Sequence, residues 1–338
     1  MTDLIARYRA AHRLGSHCSS TLMSGLLRFY GHDLSEDLCF GLGAGLGFVY
    51  VRHPTLCIFG GRAGGLERQL CQHLGIRCEQ YQGLEDDVAE ARVRALVVRG
   101  EPVLCDVDMS HLPYLAERFR LTEDFRFGGH KVMVVGFDDR EEQVFIYDYL
   151  WPECQVVTRE QLRLARGSQI KPDPPRNTWF EFHVPTRLVA LPVAVREAIA
   201  FNVQMMRYPV AYGLGLRALE RFAREFFLWP QVMDRKRLER ECFIAHMTFE
   251  KVGTGGGNFR RLYARFLRAA AAILQCEALE AQVYPIYVQL ADLWKRFALR
   301  LQPFREELFH EQELRALLAE IAGLEREGLS RLQAVVGR

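Results

Sequence analysis

Three residues far apart in the chain have the types needed for nucleophilic chemistry: Cys18, His130 and Asp148. Cys18 lies in GSHCSSTL (15–22), at the head of a run in which Leu22, Leu26 and Phe29 share one helical face. A thiol at a helix N-terminus meets unpaired backbone N–H groups and the positive end of the macrodipole. Both favour the thiolate, which is the reactive form. The Cys18 N–H would also point toward a developing oxyanion. His130 follows Gly128-Gly129 and opens the apolar run HKVMVVGF, and Asp148 closes the next run, VFIYD, across the turn DDREEQ. Two antiparallel strands joined by a tight turn bring the start of the first beside the end of the second. A carboxylate there can fix the imidazole tautomer and stabilise the imidazolium. Singly, each residue also reads as ordinary: a buried thiol, a strand-end histidine, a turn-initiating aspartate. Their joint placement is what points to a relay.

The elements that must hold these residues change character near 185–192. Before that point short β-rich runs alternate with helical ones. Helices are expected over 18–30, 65–74 and 86–99, and strands over 56–59, 77–81, 101–107, 130–137, 144–148 and 179–184. FGLGAGLGFVYV (40–51) is a Gly-rich stretch running into a strand. After it, helical periodicity covers 193–206, 214–227, 235–250, 259–276, 278–301 and 305–336, a bundle of about six helices. The expected fold is α+β, with a first domain over 1–185 and a helical domain over 186–338. A length of 338 residues suits two domains.

Composition narrows the function. The chain is 49% apolar and 25% charged with a formal net charge of +2, a soluble profile with no bulk pull toward nucleic acid or membrane. No stretch approaches the roughly 20 apolar residues of a membrane span. The first residues lack the apolar core of a signal peptide, which implies a cytoplasmic protein with reduced thiols. The nine cysteines show no CxxC pair and no zinc spacing, so no metal site is expected. Gly41, Gly43, Gly45 and Gly47 alternate and do not make a dinucleotide fingerprint.

The order of a helix-opening cysteine, a strand-opening histidine and a strand-ending aspartate resembles that of papain-like enzymes. A closer resemblance is to the acyltransferase family of butirosin biosynthesis protein H. HCSSTLMSGLLRFYGHDLSEDLCFGLGAGLGFVY (17–50) is similar to that family's opening, FGGR (59–62) to its next landmark, and GGHKVMVVGFDD (128–139) to its histidine segment. EKVGTGGGNFRRLYARFL (250–267) is similar to the signature of the helical domain that follows in many members.

The resemblance implies a papain-like domain followed by a helical one. It also implies acyl transfer from a carrier-protein thioester to an amine through an acyl-cysteine, in natural-product or specialised-metabolite biosynthesis. Cys18 is then the nucleophile, His130 the base and Asp148 its orienter. The enzyme itself needs no cofactor, and the phosphopantetheine arm belongs to the partner acyl carrier protein. Papain-like peptidases carry a Gln six residues before the cysteine as an oxyanion donor, and here that position is His12, with Ser16 as a rival.

Other features have weaker readings. Glu36 could face the acceptor amine or serve as a structural carboxylate. Gly253, Gly255 and Gly256 in GTGGG lack a P-loop ending and suit a turn whose backbone approaches a ligand. Arg261, Arg265 and Arg268, with Arg260 alongside, share a helix side that could meet an acidic carrier. The aromatics of the helical half suit a core. A cysteine peptidase or amidase would use the same three residues with water as acceptor, and a decayed fold serving as a scaffold would leave Cys18 unreactive.

Overall fold

The run at 130–137 has no polar alternation, the pattern of a strand covered on both faces. The strand it forms is buried along all but its last residue. A computed structural model describes residues 2–62, 64–119 and 127–337. From the N-terminus, helices α1 (Thr2–Ala11), α2 (Cys18–Phe29) and α3 (Glu36–Leu42) lead into strands β1 (Val49–Arg52) and β2 (Cys57–Gly60) and helix α4 (Leu66–Leu74). β3 (Arg77–Tyr81), α5 (Asp86–Val98), β4 (Val103–Val107) and α6 (Pro113–Phe119) follow. β5 (His130–Asp138), β6 (Gln143–Tyr147) and β7 (Gln155–Thr158) then run as a meander into α7 (Arg159–Gly167) and β8 (Trp179–His183). Next come α8 (Leu191–Arg207), α9 (Gly215–Glu225), the short α10 (Trp229–Val232), α11 (Arg235–His246), α12 (Arg260–Leu274), α13 (Tyr284–Arg300) and α14 (Gln312–Val336).

The first unit comprises Met1–Cys39 and Gly75–Arg187. Its six-stranded sheet has the order β3-β8-β4-β5-β6-β7, with every pairing antiparallel. One core gathers Val103, Cys105 and Val107 of β4, Val132 and Val134 of β5 and Ile146 of β6. Ala89, Val93 and Leu96 of α5 and Leu162 and Ala165 of α7 pack into it. Burying each such aliphatic side chain contributes about 1.5–3 kcal/mol before entropy is charged against it. The start of α7 is set by Thr158, whose hydroxyl takes the Gln161 N–H while the Gln161 side chain takes the Thr158 N–H, a capping box. Helix α2 packs against β5 and is buried from Cys18 through Leu27, which carries the cysteine to the sheet. This is the expected α+β fold, papain-like in its first unit and helical in the second.

The second unit comprises Phe40–Leu74 and Leu188–Arg338. The boundary at 187/188 falls beside the expected 185/186 division. That division leaves 40–74 in the first domain, whereas the segment packs with the helices. The reason is aromatic. Phe48 lies 5.6 Å from Trp294 and 5.8 Å from Phe222, and Phe59 lies 5.4 Å from Phe249, ring centre to ring centre. Phe226, Trp229, Tyr287 and Trp294 are fully buried, in keeping with a core reading of the helical aromatics.

Candidate active site

The loop before α2 is tied down at several points. His17 is the N-cap, with φ −138° and ψ 125°, and its Nδ1 accepts the Ser20 N–H at 3.3 Å. Glu36 Oε1 accepts the N–H groups of Ser16 and His17 and the Thr21 hydroxyl, each at 2.8 Å. Burial raises the Glu36 carboxyl above its ordinary range, and these three hydrogen bonds pull the other way. Glu36 therefore shapes the turn that presents Cys18, which is the structural side of its expected roles. Gly15 donates its N–H to the Tyr149 carbonyl at 3.0 Å, and a Cβ there would fall 2.0 Å from Thr21 Oγ1, so only glycine fits. Cys18 is the first residue of the helix, where no carbonyl one turn earlier takes its N–H.

His130 Nε2 lies 2.8 Å from Asp148 Oδ2, and the imidazole also hydrogen-bonds Cys18. With Nε2 turned to the carboxylate, Nδ1 is the nitrogen left for the thiol. Asp148 is fully buried and takes two further donors, the Tyr114 hydroxyl at 2.8 Å on Oδ2 and the Tyr149 N–H at 2.7 Å on Oδ1. Burial keeps the Tyr114 phenol protonated, its pKa raised well above the ordinary value, and the Asp148 charge adds to this. Tyr114 is thus a fixed donor that helps lock the carboxylate in place. Sequence reading misses it, because LPYLAERF carries no local sign of what its tyrosine meets.

Burial alone would lower the His130 pKa. The Asp148 carboxylate, with Cys18 hydrogen-bonded on the other side, outweighs burial and raises it to about 10. A histidine raised in this way gives the pH dependence a definite sign. The contribution of His130 to stability is complete below its unfolded value near 6.5 and is lost as pH rises through about 10. Wild type should therefore exceed Asp148→Asn in melting temperature by several degrees at pH 6.5, with the gap narrowing toward pH 10.5. A gap independent of pH over that range would refute the coupling.

His12 sits differently from the expected oxyanion donor. Its Nε2 donates to the Trp151 carbonyl at 2.8 Å, and its buried Nδ1 has no partner among the described residues. Burial lowers its pKa, so the ring is neutral and its one N–H is already used. Ser16 is half-buried, two residues before Cys18, and its backbone N–H goes to Glu36.

Gly253, Gly255, Gly256, Arg261, Arg265 and Arg268 belong to the second unit, and Cys18, His130 and Asp148 to the first. Gly253, Gly255, Gly256 and Gly257 all have positive φ. Gly257 backs directly onto α13, where a Cβ would lie 2.4 Å from the Ala291 carbonyl oxygen. The Gly256 N–H donates to Thr254 and the Gly257 N–H to Glu250, so part of the loop backbone serves its own turn. Arg261 pairs with Asp292 at 2.8 Å, and the exposed Arg268 lies over the Tyr284 ring. Arg260 is fully buried and does not share that face. Among the described residues, no group of three or more His, Cys, Asp or Glu side chains gathers as a metal site, and no helix is long and apolar enough to cross a membrane.

A cysteine opening a helix that packs on an antiparallel sheet, beside a histidine held by a buried carboxylate, defines a papain-like protein. The family described as butirosin biosynthesis protein H, N-terminal, matches residues 17–149, and a domain of unknown function, DUF4872, matches residues 160–332. The chain belongs to the DUF4872 family, whose match covers just over half of it, and its N-terminal part is similar to the N-terminal domain of butirosin biosynthesis protein H. No curated protein matches it.

Proposed function

We propose that this chain is a cysteine-dependent acyltransferase that moves an acyl group from a carrier-protein thioester to an amine in a biosynthetic pathway. The observation that carries the reading is His130 placed between Cys18 and Asp148, in a chain whose N-terminal family is named for a butirosin biosynthesis protein. In the first step the Cys18 sulfur bonds the thioester carbonyl carbon, the carbon–sulfur bond to pantetheine breaks, and the leaving thiolate takes the proton from His130. In the second the amine nitrogen bonds the acyl carbon, His130 takes the amine proton, and the Cys18 thiolate leaves. The Cys18 N–H, with Ser16 beside it, stabilises the oxyanion in both. The enzyme needs no cofactor of its own, because the phosphopantetheine arm arrives on the partner carrier.

Arg261, Arg265 and Arg268 are proposed to steer an acidic carrier protein, with rate rather than raw affinity as the gain. The glycine loop 253–257, at the head of the same helix, is proposed to lie along the path of the pantetheine arm.

Acyl-pantetheine thioesters should leave an acyl adduct on Cys18 by intact mass, and added amine should discharge it faster than water does. Rapid hydrolysis indifferent to amine would establish the hydrolase reading instead. Arg261→Glu/Arg265→Glu should slow a carrier-bound donor roughly tenfold or more in kcat/KM and leave a small pantetheine donor unchanged. Equal loss for both donors would remove the docking role.

A further inference from the structure

The oxyanion that forms when Cys18 attacks a carbonyl has the Cys18 N–H as one donor and Ser16 as a neighbour. His12 brings nothing to it, because its one N–H goes to the Trp151 carbonyl at 2.8 Å. Tyr149 belongs to the same site and carries a group that the mechanism leaves unused. Its backbone joins the two sides of the site. The carbonyl takes the Gly15 N–H at 3.0 Å, from the loop before the nucleophile, and the N–H goes to Asp148 Oδ1 at 2.7 Å. Both backbone groups are thus spent on holding the side chain in place. The ring centre stands 5.8 Å from that of His130, and only 3% of the residue is exposed.

The hydroxyl makes no hydrogen bond among the described residues, although a buried phenol ordinarily finds a partner. The Tyr114 hydroxyl in the same site goes to Asp148 Oδ2. The Tyr263 and Tyr287 hydroxyls are also unpaired, but they are sealed from solvent, whereas that of Tyr149 is not. Burial keeps the Tyr149 phenol protonated. After burial, the Cys18 sulfur raises its pKa more than the Asp148 carboxylate one residue away does. The hydroxyl end of the ring is therefore turned toward the sulfur, yet no hydrogen bond joins the two. An oxyanion donor stands about 2.7–3.1 Å from the charged oxygen, which sits on the carbon bonded to sulfur and not on the sulfur itself. A donor directed to the thiol but standing back from it has the placement this requires.

We infer that the Tyr149 hydroxyl is an oxyanion donor, a catalytic group beside Cys18, His130 and Asp148. The assignment rests on the thioester reading proposed above. When the Cys18 sulfur bonds the thioester carbonyl carbon, the electron pair of the carbonyl π bond moves to oxygen. The phenol then donates a hydrogen bond to that oxygen and keeps its proton. The pair returns to the carbonyl as the carbon–sulfur bond to pantetheine breaks, and the amine step repeats the cycle.

Tyr149→Phe in the full chain removes the hydroxyl and keeps the ring and both backbone bonds. Single-turnover acylation of Cys18 by acyl-pantetheine thioesters, read by intact mass, should slow about 10²–10³-fold. Alkylation of Cys18 by iodoacetamide forms no oxyanion, and its rate should stay within about twofold of wild type. Equal slowing of both reactions would reduce Tyr149 to shaping the site, and unchanged acylation would remove it from the mechanism; either result overturns the assignment. A wild type that alkylates at Cys18 but takes no acyl group from a thioester would instead defeat the transferase reading, and this assignment with it. A short aliphatic aldehyde gives a readout that needs no variant. In wild-type crystals of its hemithioacetal with Cys18, the former carbonyl oxygen should lie within hydrogen-bond distance of the Tyr149 hydroxyl, and an oxygen turned away from it would overturn the assignment.

Discussion

Cys18→Ala is expected to abolish the acyl adduct and to lower kcat/KM by roughly 10⁴-fold or more, because the proposed mechanism forms its covalent intermediate on that thiol. His130→Ala should cost nearly as much, since in the proposed mechanism the imidazole both holds the thiol proton and moves it in each half-reaction. The two losses should not multiply: the double variant should be about as slow as either single one, because both residues serve the same steps. Labelling with limiting iodoacetamide checks the first half independently of substrate. Cys39, Cys57, Cys105 and Cys242 are buried, and burial pushes each of these thiols well above its ordinary pKa, so they should stay unlabelled while Cys18 reacts. Preferential alkylation elsewhere, or full turnover by Cys18→Ala, would end the assignment.

The second large effect concerns stability. The buried Arg260 guanidinium reaches the Gly61 and Asn258 carbonyls at 2.8 Å and the Gly47 carbonyl at 2.9 Å. Its Nε meets Glu325 Oε1 at 2.6 Å, and neither side chain has exposed surface. One guanidinium thus ties the loops around β1 and β2 to α12 and α14. Glu325→Ala leaves that charge buried without its counter-charge, a change worth about 3–5 kcal/mol. In a unit of this size the melting temperature should fall by roughly 10 °C, followed through Trp229 and Trp294. Arg260→Met should be at least as damaging, because it takes a donor from three buried carbonyls, of which Gly61 keeps the Gly47 N–H, and leaves a buried carboxylate unpaired. Arg260→Met/Glu325→Leu should recover part of the loss, since it removes the stranded charge. An exposed-pair magnitude, below about 1 kcal/mol for Glu325→Ala, would contradict this account.

The fold is largely legible in the sequence because its strongest signals are local. The helix at Cys18 and the strands at His130 and before Asp148 announce themselves by periodicity, and the turn between the strands fixes which ends meet. Met133 pairs with Tyr147, which brings Asp148 diagonally across from His130. The T-R-E-Q capping box at the start of α7 is equally local, yet neither it nor β7 is among the expected elements. What stays hidden depends on partners distant in sequence. Nothing near Phe48 or Phe59 says which core they enter, so the sequence alone does not separate 40–74 from its neighbours. The Tyr114 contact spans 34 residues and the Arg260 contact 65, and neither is encoded by any spacing. Adjacency groups Arg260 with Arg261, although neighbouring helical residues point about 100° apart.

The passage of 40–74 through the second unit constrains the order in which a growing chain can complete itself. Residues supplying the sheet of the first unit have all been synthesised once 187 has emerged. Phe48, Phe59 and the Gly47 and Gly61 carbonyls must wait for Phe222, Phe249, Arg260 and Trp294. Over a long stretch of synthesis, an early hairpin therefore carries uncovered aromatic surface and unmet backbone acceptors. A chain ended at 187 would keep that hairpin permanently without its core. Separating the halves cleanly requires excising the early segment and supplying it with the helices, and a single cut behind the sheet yields a sticky first fragment and a second one missing part of its interior.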